Sequence, residues 1–339
     1  MDFYQLAPDQ QVERLKCLGL KALEQWDIEC PELSLLKYRE NAVFAVTDKK
    51  GIKRVLRIHR PGYHSTVALN SELIWMEALN ADSIQTPDVI RTRCGKLLVI
   101  AEVADVPEPR QCDLLGWVDG DVLGTIEGGG EKSAEEIRTN YFTAGAMAAQ
   151  IHNHAENWQI PDGFVRPMMD AEGLVGVNGY LGNFRLLVDL SAEQLALLEK
   201  AADRVVETLN AFGQTPDRFG LTHADFLPEN LLINADSIRI IDFDDCGFGW
   251  HMMDIATFLF FLVGEPSYDA AYDGVIEGYR SVRQLPDSHL ELLPTCLLAR
   301  GLTYLAWVHS RHETETAQEI APVLIEGVCA LAEDYLANG

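Results

Sequence analysis

Residues 221–245 read LTHADFLPENLLINADSIRIIDFDD. Pro228 is incompatible with a helix running from Asp225 to Asn230, so that segment is a loop. Two β-like runs, Leu231–Ile233 and Ile238–Asp242, flank a turn at Asn234-Ala235-Asp236-Ser237. Paired as a hairpin, Ile233 faces Ile238 and Leu231 faces Ile240, which brings Asn230 and Asp242 to the same open end. Two oxygen donors side by side suit a hard cation such as magnesium, which also keeps waters and substrate phosphates. Asp225, one loop away, adds a carboxylate close to that point.

This pattern points to phosphoryl transfer. There, a loop Asp accepts the substrate hydroxyl proton, an Asn and an Asp hold the metals, and catalysis is mostly positioning and charge neutralisation. The D-x-x-x-x-N spacing from Asp225 to Asn230 equals that of the kinase catalytic loop, and Asp-Phe-Asp at 242–244 stands where kinases have Asp-Phe-Gly. A single Asp in such a place would more simply cap a turn. Four polar residues at matched spacing between apolar β runs favour the chemical reading.

The run HADFLPEN (223–230), followed by IIDFDDCGFGWHMMDIA, resembles the catalytic segment of the aminoglycoside phosphotransferase superfamily, which includes choline kinases, type II homoserine kinases and a bacterial stress-response protein kinase. VLRIHRPGYHS and SELIWMEAL in the first third, and AAQIHNH before the catalytic region, extend the likeness. The resemblance implies an α+β, two-lobed protein-kinase-like fold, with a small antiparallel β lobe carrying one inserted helix and a larger, mainly helical lobe. It implies Asp225 as base, His223 bracing the loop, Asn230 and Asp242 as metal ligands, and Asp254 hydrogen-bonding the catalytic-loop backbone from the next helix. Mg2+ and ATP follow as cofactor and co-substrate, with GTP as the other candidate nucleotide. The departures are Ala224 where a Gly is usual and the extra carboxylates Asp244 and Asp245, one of which could serve a second magnesium.

The phosphate-facing cation of such a lobe is expected on the third strand, paired with a Glu from the inserted helix. Arg57 in Val55-Leu56-Arg57-Ile58 and Glu72 on the following helix fill those places, with an ordinary exposed strand charge as the other reading of Arg57. Alternation puts Val55, Arg57 and His59 on one face and Leu56 and Ile58 on the other. No G-x-G-x-x-G precedes this strand; the turn Arg39-Glu40-Asn41-Ala42 stands there, with Asn41 and backbone amides as candidates to cover phosphate. Asp113 to Trp117, centred on Leu115, is expected to be the hinge against which adenine packs, or else an edge strand. His152 and His154, two apart on a helix, read as structural.

The 339 residues carry a formal net charge of -25. That field disfavours a nucleic-acid partner and requires a dedicated cationic pocket for a nucleotide. Seven dispersed cysteines without a C-x-x-C pair suggest reduced thiols. MDFYQLAPDQQ at the start lacks the basic and apolar pattern of a signal peptide, and the longest apolar run is short for a membrane span. The expectation is a cytoplasmic chain with no membrane partner, its oligomeric state left open.

Outward from the motif, helical periodicity marks 10–27, 66–80, a long helix from the Ser133–Glu136 capping box, 191–212, and most of the chain after 252. β-like runs fall at 33–38, 42–47, 54–59, 88–91, 97–103 and 112–117. An acidic, Gly-rich stretch at 119–132 reads as a connection. The expected division is residues 1–116, a nucleotide-binding lobe, and residues 117–339, a catalytic and substrate-binding lobe. The function that follows is ATP-dependent transfer of the γ-phosphate to a hydroxyl of a small aminoglycoside-, homoserine- or choline-like molecule. A serine/threonine protein kinase is the alternative enzyme, disfavoured by the missing A-P-E element; a nucleotide-binding pseudokinase is the non-enzymatic one. Trp158, Asp170, Tyr180, Arg185, Trp250, Tyr304 and Trp307 are candidates for acceptor recognition.

Overall fold

The computed structural model describes residues 3–38, 41–124, 133–234 and 237–338. The chain divides into two compact units, the first comprising Met1–Gly120, Ile160–Val165 and Arg239–Asp244, and the second the remainder. The sequence division at 116/117 therefore misses two short segments that return to the first unit.

In the first unit, α1 (Pro8–Leu23) precedes β1 (Glu32–Tyr38), β2 (Ala42–Thr47) and β3 (Lys53–Ile58). Then come α2 (Thr66–Ala81), β4 (Leu98–Ala101) and β5 (Arg110–Gly116). The strands form an antiparallel sheet in the order β1-β2-β3-β5-β4. The region 88–91 contributes only a bridge from Val89 to Leu115. β5 is an interior strand, which removes the edge-strand reading of 113–117. Period-two alternation sends Phe44, Leu56 and Leu114 into one core with Leu15, Leu18 and Ala22 of α1. Gly19 lets α1 approach closely, since a Cβ there would lie 2.8 Å from Leu56 Cδ2. α2 opens on Ser65, whose hydroxyl accepts from the Ala68 N–H. Its sequence reads as one apolar stripe, but Ser71, Glu72 and Trp75 are buried as well. The returning segments explain part of this: Phe243 packs edge-to-face on Trp75 at 5.6 Å, and Val165 N–H donates to Ser71 Oγ.

In the second unit, β6 (Asp121–Val122), α3 (Ala134–Asn157), β7 (Met168–Met169), α4 (Ala171–Val175) and α5 (Ala192–Phe212) lead to β8 (Phe219–Thr222). A 3₁₀ turn at Pro228–Asn230 enters β9 (Leu231–Asn234), followed by β10 (Ser237–Ile240), whose last two residues belong to the first unit, and by β11 (Gly247–Trp250). The turn between β9 and β10 falls partly on 235–236, outside the described residues, as do Arg39-Glu40 and most of the 119–132 stretch. β9 pairs with β6, and β11 lies between β7 and β8. Helices complete the unit: α6 (His251–Leu259), α7 (Tyr268–Val282), α8 (Asp287–Leu290), α9 (Leu293–Ser310) and α10 (Glu315–Ala337). α8 and α9 are separate helices, with Pro294 in the first turn of α9. α3 has the expected capping box and packs along α7 through glycines: a Cβ on Gly145 or Gly278 would overlap the carbonyl of Val275 or Phe142.

Candidate active site

In the first unit, β3 places Arg57 directly opposite Asp113 on β5. Arg57 Nε and Nη2 donate to the two Asp113 oxygens at 2.9 and 3.0 Å, while Nη1 donates to Glu72 Oε1 at 2.7 Å. All three residues are buried. Arg57 is therefore not an exposed strand charge. A planar guanidinium can serve two carboxylates in this way, whereas an ammonium is a point charge. Burial alone would raise the Asp113 carboxyl, but Arg57 and His59 outweigh it and hold it down at about 2. His59 Nε2 lies 2.6 Å from Asp113 Oδ2.

Asn41 is tied at both ends of its amide. Nδ2 donates to Asp244 Oδ2 at 3.1 Å, and Oδ1 accepts from the Arg60 N–H at 3.1 Å. Leu115 pairs with Val55 on β3, and its neighbours are taken up on the other side, Leu114 O by Ile90 and Gly116 N by Asp88. Leu115 therefore lies inside the sheet, with Val55 on one side and the bridge to Val89 on the other. Asp242 is exposed and left-handed, at φ 65°. Phe243 and Asp244 on its C-terminal side are buried.

In the second unit, the catalytic-type loop hangs from Asp254 on α6. Its Oδ2 accepts from His223 N–H at 3.1 Å and its Oδ1 from Ala224 N–H at 2.8 Å. His152 Nε2 lies 2.9 Å from the same Oδ2, and its Nδ1 lies 2.9 Å from the Tyr279 hydroxyl. His152, read from sequence as structural, thus orients the residue that holds the loop. The His223 ring packs edge-to-face on Phe226.

Ala224 takes φ 66°, a left-handed conformation that costs an L-residue roughly 1–2 kcal/mol. The strain falls immediately before Asp225. Asp225 is gripped from two sides: Arg300 Nη2 donates to Oδ1 at 3.0 Å and Asn230 Nδ2 to Oδ2 at 2.9 Å. Burial raises its pKa above the usual carboxylate range, Arg300 pulls the other way, and the charge of Asp245 adds to the rise. A carboxylate so raised is a stronger proton acceptor. Arg300 itself stacks on Tyr304, 4.3 Å from the ring centroid.

Arg300 is the functional residue that sequence reading missed. Its signal was present: a lone cation inside the apolar run Leu297-Leu298-Ala299-Arg300-Gly301-Leu302, which burial tolerates only with a partner.

Oxygen donors of the kind magnesium takes are present in each unit by itself. In the second, Asn230 commits its amide nitrogen to Asp225, so the ligand atom it has left is its carbonyl oxygen; in the first, Asp242 carries an exposed carboxylate. Among the described residues no group of three or more His, Cys, Asp or Glu side chains is arranged to hold a metal alone. Also among the described residues, no helix is long and apolar enough to cross a membrane.

Comparison with known proteins identifies the family and the fold. Residues 35–292 match the model of a phosphotransferase enzyme family. A microcompartment-associated aminopropanol kinase of known structure is 33% identical, with a TM-score of 0.83 over 95% of this chain and 98% of that one. An amicoumacin kinase solved with AMP-PNP and Ca2+ is 18% identical and shares the fold, with a TM-score of 0.73 over 96% and 94% of the two chains. The amicoumacin kinase of Bacillus subtilis is 23% identical over 199 residues, 56% of each protein. With a protein-kinase-like α+β fold and this catalytic loop, the chain belongs to the phosphotransferase enzyme family of the aminoglycoside phosphotransferases and is a kinase.

Proposed function

We propose that the chain transfers the γ-phosphoryl group of ATP to the hydroxyl of a small amino alcohol. The observation that carries this reading is Asp225, a loop carboxylate held by Arg300 and Asn230 at hydrogen-bonding distance on a backbone pinned to Asp254. The 33% identity to an aminopropanol kinase favours an amino alcohol over an aminoglycoside.

Asp225 takes the acceptor's hydroxyl proton as the oxygen attacks the γ-phosphorus. Asn230 keeps the carboxylate oriented, and Arg300 limits the charge that would otherwise repel an approaching phosphate. In the first unit, Arg57 commits three N–H groups to Asp113 and Glu72. The second N–H of Nη1 and of Nη2 are what it can offer a phosphate oxygen. Asn41 shapes the turn whose backbone amides cover phosphate, and adenine takes its backbone partners just after Leu115 and Gly116. His223 and Asp254 fix the loop. Asn230 and Asp242 are the residues for magnesium, which when bound neutralises charge on the phosphates.

The test is ADP release in a coupled assay, with ATP, Mg2+ and a panel of hydroxyl compounds, for wild type and Asp225→Asn. Turnover with amino alcohols, reduced about 10³-fold in the variant while nucleotide binding persists, is the expected result. Equal turnover by the variant would remove Asp225 from the chemistry. Absence of turnover with every amine-bearing alcohol would move the acceptor to another class.

A further inference from the structure

Asp242 lies in the short segment Arg239–Asp244 that returns to the first unit. It is exposed and holds φ 65°, while Phe243 and Asp244 after it are buried. Aspartate tolerates the left-handed region better than most L-residues but does not favour it, so the surroundings must hold it there. Phe243 is one anchor, wholly buried and edge-to-face on Trp75 of α2 at 5.6 Å.

Asp244 is the other. A carboxylate only 6% exposed has left water and needs polar partners. Asn41, just before β2, donates Nδ2 to Asp244 Oδ2 at 3.1 Å. Its Oδ1 accepts from the Arg60 N–H, so the amide cannot turn over, and nitrogen is the end that faces the carboxylate. Asp244 Oδ1 lies 3.7 Å from His59 Nδ1 and 3.9 Å from His64 Nε2. His59 is fixed in turn, with Nε2 at 2.6 Å from Asp113 Oδ2, on the carboxylate that holds Arg57. All of these residues belong to the first unit. Residues at the ends of β2 and β3 thus grip the chain two positions beyond Asp242.

Sequence reading left Asp244 open as a ligand for a second magnesium. Its burial and its bond to Asn41 favour a different part. Resting on the kinase reading above, we propose that Asp244, clamped by Asn41, is a positioning residue: the buried Asn41–Asp244 bond holds the left-handed backbone that presents the Asp242 carboxylate to magnesium, and Asp244 is not itself a ligand. Residues that orient a metal ligand in this way commonly change metal affinity when removed, although they never touch the ion.

The experiment measures calorimetric binding of AMP-PNP to the full chain across a Mg2+ series, beside urea unfolding without metal. Asn41→Ala and Asp244→Ala should each raise the Mg2+ concentration for half-maximal nucleotide binding by about 10-fold. The double variant should be no worse than either single one, because both remove the same bond. Asp244→Asn should stay close to wild type, since its amide oxygen still accepts from Asn41. Should the Ala variants fail to fold, Asn41→Ser and Asp244→Asn carry the test, with the serine too short to reach and the Mg2+ requirement raised. An Asp244→Asn variant as impaired in Mg2+ dependence as Asp244→Ala, with Asn41→Ala adding to it, would overturn the proposal in favour of a direct ligand. Lower urea midpoints at an unchanged Mg2+ requirement would overturn it in favour of a purely structural bond. Binding of AMP-PNP to wild type without any Mg2+ dependence would remove Asp242 as a ligand and the proposal with it. If binding depends on Mg2+ but no acceptor turns over, the acceptor reading fails alone, and the binding series still decides the part played by Asp244.

Discussion

Ala224 sits where a left-handed backbone turns the chain into Asp225, and its N–H must face Asp254 for the loop to hold. Glycine meets no steric penalty there but loses more chain entropy on folding. Ala224→Gly should therefore raise stability by about 0.5–1 kcal/mol, read as a higher urea midpoint at unchanged slope. Activity should stay close to wild type, because the replaced methyl makes no polar contact. A loss of stability would mean that the methyl's packing outweighs the strain. The same residue-scale logic applies to Arg57 on β3. One guanidinium bridges Glu72 on the helix and Asp113 on the next strand, so strand and helix are locked by a single side chain.

Among the elements, the α3–α7 pair depends on backbone contact. Gly145, Gly274 and Gly278 each sit where a Cβ would overlap a carbonyl of the opposing helix. Gly278→Ala adds one methyl with nowhere to go, and relieving it requires moving a whole helix. We expect a loss of about 2–3 kcal/mol in urea unfolding, far from the value expected of an exposed helical Gly→Ala, which would be stabilising. α3 also carries His152, so loosening this pair should reduce activity through Asp254 even in the folded fraction. The capping box at Ser133–Glu136 was legible beforehand as residue types at fixed spacing, as was the β1–β2–β3 meander, whereas the Ser191–Gln194 box of α5 emerged only in the structure. The strand β11 was not. GFGW has too few branched residues to announce a strand, and Gly247 sits where a Cβ would lie 2.6 Å from the Pro167 carbonyl oxygen.

For the whole molecule, acid sensitivity follows from its buried histidines and carboxylates. Burial holds the His251 pKa well below its ordinary value of 6.5, helped by the neighbouring His152 and Arg283. The unfolded chain binds a proton there below about pH 6.5 and the folded chain does not, so stability is lost as pH falls through that value. The slope for this one group approaches about 1.4 kcal/mol per pH unit. Asp113, held down at about 2, contributes stability that is present above pH 3.8 and lost only as pH falls further. Urea midpoints should thus decline from pH 7 to pH 5 in a step that His251→Gln flattens, and fall again below pH 4. A flat profile between pH 7 and pH 5 would show that His251 takes up no differential proton on unfolding.

The chain's own order of residues determined the fold class, the loop from Asp225 to Asn230, most helices, and the pairing of Arg57 with Glu72. These rest on local rules: periodicity, turn residues, caps and short spacings survive in any projection of the chain. Only tertiary structure decided that Arg57 also meets Asp113, that Arg300 reaches Asp225 from 75 residues away, and that Asp244 and Asp245 take different partners. It also decided that Asn41's amide is tied to Asp244, and that Leu115 lies inside the sheet. The reason is physical. A buried charge must find its counter-charge wherever packing brings one, and such a partner leaves no periodic trace in the sequence.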